Sequence, residues 1–125
     1  MHIFSKENQI MPSLSQGIIR ETATIAAAGT TSGIIDINDR TLVGMILPVM
    51  TGTSVTFQVS ADKTNFYTLH DSTKTAVSVT CDGTARAFYL EPTKFVGWRW
   101  LKVVSGSAEA SERSITLLAV KTLET

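Results

Sequence analysis

The sequence predicts an all-β domain: an antiparallel β-sandwich, jelly-roll-like, carrying an N-terminal extension. Three observations predict it. From Gly17 onward, short runs rich in Val, Ile, Thr and Phe alternate with clusters of Gly, Asp, Asn, Ser and Thr, which is the punctuation of strands and turns. No sustained helical period appears after Gly17. The chain has 125 residues, 43% of them hydrophobic and 18% charged, which suits a single globular domain able to bury a core without staples.

Nine strands are expected, at 18–27, 34–37, 42–49, 54–61, 66–70, 76–81, 86–90, 98–104 and 114–121. The clearest is Val55-Thr56-Phe57-Gln58-Val59-Ser60, whose period of two puts Val55, Phe57 and Val59 on one face and Thr56, Gln58 and Ser60 on the other. Asp62-Lys63-Thr64-Asn65 reads as a turn and Asp82-Gly83-Thr84 as a hairpin-type connection. Residues 28–33 and 105–110 read as flexible loops. Pro92 is placed to open one helical turn over Glu91–Phe95. Nine strands at this spacing suit a sandwich or a barrel, and a jelly roll has the right strand count. Residues 18–125 form this domain and residues 1–17 an arm.

Charge excludes some partners. Eleven Lys and Arg balance eleven Asp and Glu, and the basic residues are scattered from Lys6 to Lys121. No basic stripe offers the electrostatic attraction that nucleic acid or an anionic membrane needs. Cys81 is the single cysteine, so no internal disulfide forms, which fits folding in a reducing compartment. The first nine residues lack the apolar core of a signal peptide, and folding in the cytoplasm of a host is expected.

The inventory for chemistry is thin, and no catalytic residue, metal ligand or cofactor site is assigned. His2 and His70 lie far apart, and no His-x-His or Cys-x-x-Cys spacing occurs. No serine stands in Gly-x-Ser-x-Gly, and Gly29 and Gly33 are not followed by the lysine of a phosphate loop. His70-Asp71 reads as a solvated turn. Trp98 and Trp100, two apart on a strand, would share a face; with Tyr67 and Tyr89 they would make a stacking platform for sugars, or else they plug the core.

Apolarity on both faces is the more informative pattern. Leu42–Met50 is apolar throughout, Trp98 and Trp100 oppose Leu101 and Val103, and Ile115, Leu117 and Ala119 oppose Leu118 and Val120. A small sandwich normally shows one face of each sheet to water, so three such strands call for a second covering. The arm carries Ile3, Phe4, Ile10, Met11 and Leu14, too apolar for an idle tail, with Pro12 interrupting any useful helix. These five residues, with Met45, Leu47 and Val49, are the expected partner-binding set, and a homo-oligomer, dimer or trimer, is expected.

Taken in order, 54–62 with 66–71, then Leu90-Glu91-Pro92, Phe95, 97–103 with Ser105-Gly106, and finally 113–117 resemble small virion proteins of tailed bacteriophages. The resemblance spans roughly residues 22–120, leaving the arm outside it. Here Lys63 stands where that pattern usually has Gly, and His70 where it usually has Tyr. The resemblance implies a capsid decoration or cement protein, with the major capsid protein as partner and the outer surface of the virion as location. It equally fits a head–tail or tail component, and the aromatic residues keep a carbohydrate-binding module of an adhesin open.

Overall fold

A computed structural model describes residues 18–121. All nine expected strands form: β1 (Ile18–Ile25), β2 (Ile35–Asp36), β3 (Arg40–Leu47), β4 (Ser54–Ser60), β5 (Tyr67–Thr68), β6 (Ser78–Thr80), β7 (Arg86–Tyr89), β8 (Trp100–Ser105) and β9 (Arg113–Lys121). A 3-10 turn at Pro92–Lys94 supplies the expected helical turn. Every strand pair is antiparallel.

Two sheets face each other, one ordered β1-β9-β3-β7 and the other β2-β8-β4-β5, with β6 sharing the β5 edge of β4. The chain passes from sheet to sheet at nearly every connection, so it winds around the core as a jelly roll does. The connection through Asp82 is one of these crossings, since β6 and β7 belong to different sheets; the hairpin expected there does not exist. Gly83 takes a positive φ of 86°, and the Asp82 carboxylate accepts from Thr84 N–H and from both Nε and Nη2 of Arg86.

The core lies between the sheets. Val55, Phe57 and Val59 are buried together as expected, and Phe57 meets Phe95 edge-on, with ring centroids 5.1 Å apart. Phe95 reaches this position because the 3-10 turn ends on it, its N–H bonding back to Pro92 O. Thr56 and Gln58 are half-buried on the opposite face, but Ser60 is not a surface residue. Its Oγ accepts from Asp62 and Lys63 N–H and donates to Asp62, so it is covered by the turn it caps.

The two loops expected to be flexible are pinned. Thr31 bridges Val104, Ser32 exchanges bonds with Val103, and Ser105 N–H donates to Thr30 O, so 30–32 run along β8 as an irregular extra strand. The loop after β8 is held by Glu109, described below. The two ends of the described chain meet: Ile18 pairs with Val120 in the β1–β9 ladder.

Candidate functional site

Register decides which apolar side chains reach solvent. In β3, Leu42 pairs with Ala119, whereas Gly44 pairs with the next residue of β9, Leu118, so Val43 is an extra residue in a β-bulge. A bulge shifts the alternation by one. Leu42 therefore points inward before it, and Met45 and Leu47 point inward after it, all three within 1% of complete burial. This corrects the expectation that Met45 and Leu47 sit on a partner surface: they are core. The two-sided apolarity of this strand is largely the signature of the bulge. Ile46 and Val49 remain exposed, at 45% and 50%.

In the second case, Leu101 and Val103 fill the core while Trp100 lies on the outer face of its sheet, half-buried beneath the Arg99 guanidinium at 4.9 Å. Arg99 is itself held by a two-point contact with Asp36, which keeps that carboxyl below its ordinary range and the guanidinium above its own. Trp98 lies before β8, in the turn where its N–H bonds Phe95 O, and packs partly on the core. Tyr67 and Tyr89 belong to different sheets. The four aromatic residues thus do not assemble into one platform. Trp98 borders a depression of about 320 Å³ with Asn38, Asp39, Arg40 and Gly97, and Tyr89 a separate one of about 310 Å³ with Val77, Glu91 and Lys94.

The third case is real. Ile115, Leu117 and Ala119 are buried, yet Leu118 and Val120 lie half-buried on the outer face of the four-stranded sheet. Their cross-strand partners extend the patch, Ile18 beside Val120, then Gly44 beside Leu118 with Tyr89 opposite Gly44 on β7, while exposed Arg20 on β1 flanks Leu118 from the other side. Leu118 lies over Gly44, where a Cβ would meet Leu118 Cδ1 at 3.7 Å, an ordinary contact. Ile46 adds a further apolar side chain one step along β3. Ile18, Ile46 and Tyr89 are 55%, 45% and 78% exposed. The far end of this face is polar, with Thr22, Thr24, Ser114 and Thr116. An apolar stripe with a polar flank is the anatomy of a docking surface. Of the expected partner-binding set, Val49 is exposed, while Ile3, Phe4, Ile10, Met11 and Leu14 lie outside the described residues.

Sequence reasoning missed Glu109. It is 1% exposed, and its carboxylate accepts from Thr51 N–H (2.8 Å), Gly52 N–H (3.0 Å), Ser105 Oγ (2.6 Å) and Arg113 Nε (2.8 Å). Its backbone bonds Ala28 N–H and Gly29 O. One side chain thereby ties three loops at one end of the sandwich. Burial pushes its pKa upward, but the bonds from Ser105, Thr51, Arg113 and Gly52 prevail and hold it at about 2. Gly52 is required for this, since a Cβ there would collide with Ser105 Oγ. The one available signal was a carboxylate set among small residues four positions before an arginine, Glu109 and Arg113, with Glu112 beside the arginine.

Among the described residues no group of His, Cys, Asp and Glu gathers that could hold a metal ion, and no helix is long and apolar enough to cross a membrane. Cys81 is buried, and burial, with the nearby Glu109 and Asp82 charges, raises its thiol pKa, the opposite of what a reactive cysteine needs. His70 turns its Nδ1 to Thr68 O, and Asp71 accepts from Thr73 and Thr75 to close the turn, so the pair serves the backbone.

No protein-family model matches the chain, and no curated protein matches its sequence. Solved structures of similar fold include the SPBc2 prophage-derived protein YomS, 11% identical, covering 83% of this chain and 95% of that one at a TM-score of 0.49. CBM32-1 from a family 31 glycoside hydrolase of Clostridium perfringens is 13% identical over 82% of this chain and 76% of that one, at 0.45. The Yersinia pseudotuberculosis-derived mitogen is 15% identical over 86% and 88%, at 0.34.

Proposed function

We propose that the protein is a non-enzymatic decoration or cement protein on the outside of a phage capsid, where it bridges neighbouring major capsid protein subunits. The observation that carries this reading is the apolar stripe of Ile18, Val120, Leu118, Tyr89 and Ile46 on a sheet face that an isolated sandwich would present as polar. The major capsid protein as partner is what the sequence resemblance to phage virion proteins implies. Stabilisation comes from burying this face at many symmetric positions, with copies assembled as dimers or trimers on the lattice, rather than from chemistry at one site. Val49 and the arm residues Ile3, Phe4, Ile10, Met11 and Leu14 complete the contact set.

Co-sedimentation with capsids stripped of the protein tests this. The wild-type chain should pellet with capsids, and Tyr89→Glu should weaken its retention by at least about tenfold, as loss of a buried aromatic anchor does. Wild-type protein that stays in the supernatant sinks the reading. A second reading, glycan binding, is favoured by Trp98 beside Asn38 and Asp39. Calorimetric titration with oligosaccharides separates the two: heat that Trp98→Ala abolishes would support the glycan reading.

A further inference from the structure

We infer that the outer edge of β7 is a strand-addition site: an extended, uncharged segment of another protein pairs with Ala87 and Tyr89 through its main chain and seats alternate apolar side chains in the groove between β7 and β6. This edge is separate from the sheet face proposed for docking, and the inference does not rest on that reading.

β7 ends its sheet, with β3 on one side and no described strand on the other. The ladder fixes which backbone groups look outward. Leu90 N–H donates to Val43 O at 3.0 Å, so Leu90 turns its main-chain groups toward β3, and the period of two turns those of Phe88 and Arg86 the same way. Ala87 and Tyr89 therefore direct N–H and C=O away from the sheet, where no described group pairs with them. Donors and acceptors alternating in this way are complementary to another extended backbone.

Beside this edge lies the groove of about 310 Å³. It is lined by Val77 and Val79, half-buried against the core, and by Leu90 and Phe95, which are buried. The charges that flank the edge are already paired: Arg86 holds Asp82 at 2.8 Å where β7 starts, and Lys94 meets Glu91 at 3.5 Å beyond its end. A segment lying between these pairs has no ion to neutralise, so it fits when it carries no charge itself.

A second copy is the poorer occupant. The strand has four residues and is about 13 Å long. Pairing β7 with another β7 would be a single-strand contact, well short of the roughly 1,200 Å² that a specific interface between folded partners buries. An extended segment fills the groove while it pairs, which a strand fixed in its own sheet does not.

The test is a fluorescently labelled peptide of alternating valine and threonine, titrated into the full-length chain and followed by anisotropy. It should bind saturably. Methylating one alternate set of its amide nitrogens should weaken binding at least about tenfold, and methylating the other set should leave it unchanged, because only one side of the peptide pairs. Ala87→Pro removes an outward N–H at a position where an edge strand tolerates proline, and it should weaken the peptide at least about tenfold with the circular dichroism unchanged. If Ala87→Pro does not fold, the methylated peptides carry the test on the wild-type chain. No saturable binding at about 1 mM peptide would overturn the inference. So would methylated peptides that both bind like the parent or both fail, or a folded Ala87→Pro chain that binds like wild type. A wild-type dimer that Ala87→Pro dissolves would assign the edge to a second copy and overturn it too. Capsids enter none of these measurements, so a failed co-sedimentation leaves the result unaffected.

Discussion

Glu109 shows how one buried charge can organise a set of loops. With four donors on its carboxylate, the ionised form is the one the fold selects, and the pKa falls from an ordinary 4.5 to about 2. The folded-state value lies below the unfolded one, so the contribution is complete above pH 4.5 and is lost as pH falls toward 2. Its size is on the order of 3 kcal/mol. Glu109→Gln should therefore flatten the acid limb of stability against pH between those values, measured by urea unfolding at stepped pH. Glu109→Ala, which strips Arg113 and two backbone N–H groups of their acceptor, should cost about 3–5 kcal/mol at neutral pH. A second residue carries a different kind of strain: Lys63 has a φ of +68° in the turn that Asp62 caps through Thr64 and Asn65 N–H. A side chain in that region costs roughly 1–2 kcal/mol, and Lys63→Gly should recover about 1 kcal/mol, read as a rise in the denaturation midpoint. The turn keeps its shape although the residue usual in the phage proteins it resembles is missing. Phe57→Ala should cost about 3–5 kcal/mol, because its ring is fully buried against Phe95.

The strands were readable because period-two alternation and turn residues are local signals. Val55, Phe57 and Val59 needed no tertiary information, and neither did Pro92 opening its turn. What escaped was set by pairing at long range. The bulge at Val43 leaves no mark in the sequence except apolarity on both faces, which equally suggests a covered surface; Met45 and Leu47 were misplaced for that reason. The loops at 28–33 and 105–110 look solvent-exposed by composition, but their partners are distant in sequence, Glu109 being 57 residues from Gly52, while Ser60 is hidden by the turn it caps. Asp82-Gly83 has hairpin chemistry, yet the next strand crosses to the other sheet, a choice made by the core and not by the turn. The same dependence on register yields a test. Deleting Val43 should remove the bulge and force either Leu42 or the Met45–Leu47 pair outward. That chain should lose cooperative unfolding, whereas Val43→Ala, which keeps the extra residue, should cost less than about 2 kcal/mol.

Across the whole molecule, balanced charge leaves association to apolar surface, and Ile18, Ile46 and Tyr89 expose theirs on one face of one sheet, while Ile34, Val49, Tyr67 and Val96 are exposed elsewhere. The fold class was fully predictable; this partly apolar sheet face was predictable only in part. Leu118 and Val120 could be read from β9, but Ile18, Ile46 and Tyr89 join them only once β1, β3 and β7 take their places in the sheet. A chain beginning at Gly17 should keep the β-sheet dichroism of the parent, since residues between Ala23 and Ala119 supply a buried core of their own. It should also scatter light as more than one chain at micromolar concentration, through the exposed Ile18, Ile46 and Tyr89. A truncated protein that stays strictly monomeric would show that the stripe is too small to drive association.

The pairing of Ile18 with Val120 also fixes how the domain answers to a pull. The chain enters and leaves the sandwich on adjacent antiparallel strands, at the same end, about 5 Å apart. Tension applied between the two exits would load the ladder one rung at a time, as a zip is opened, and β1 would peel from β9 beginning at Ile18. Pressure spread over the sheet face instead engages every ladder together. A domain built this way resists load spread over its flat side and yields first where Ile18 meets Val120.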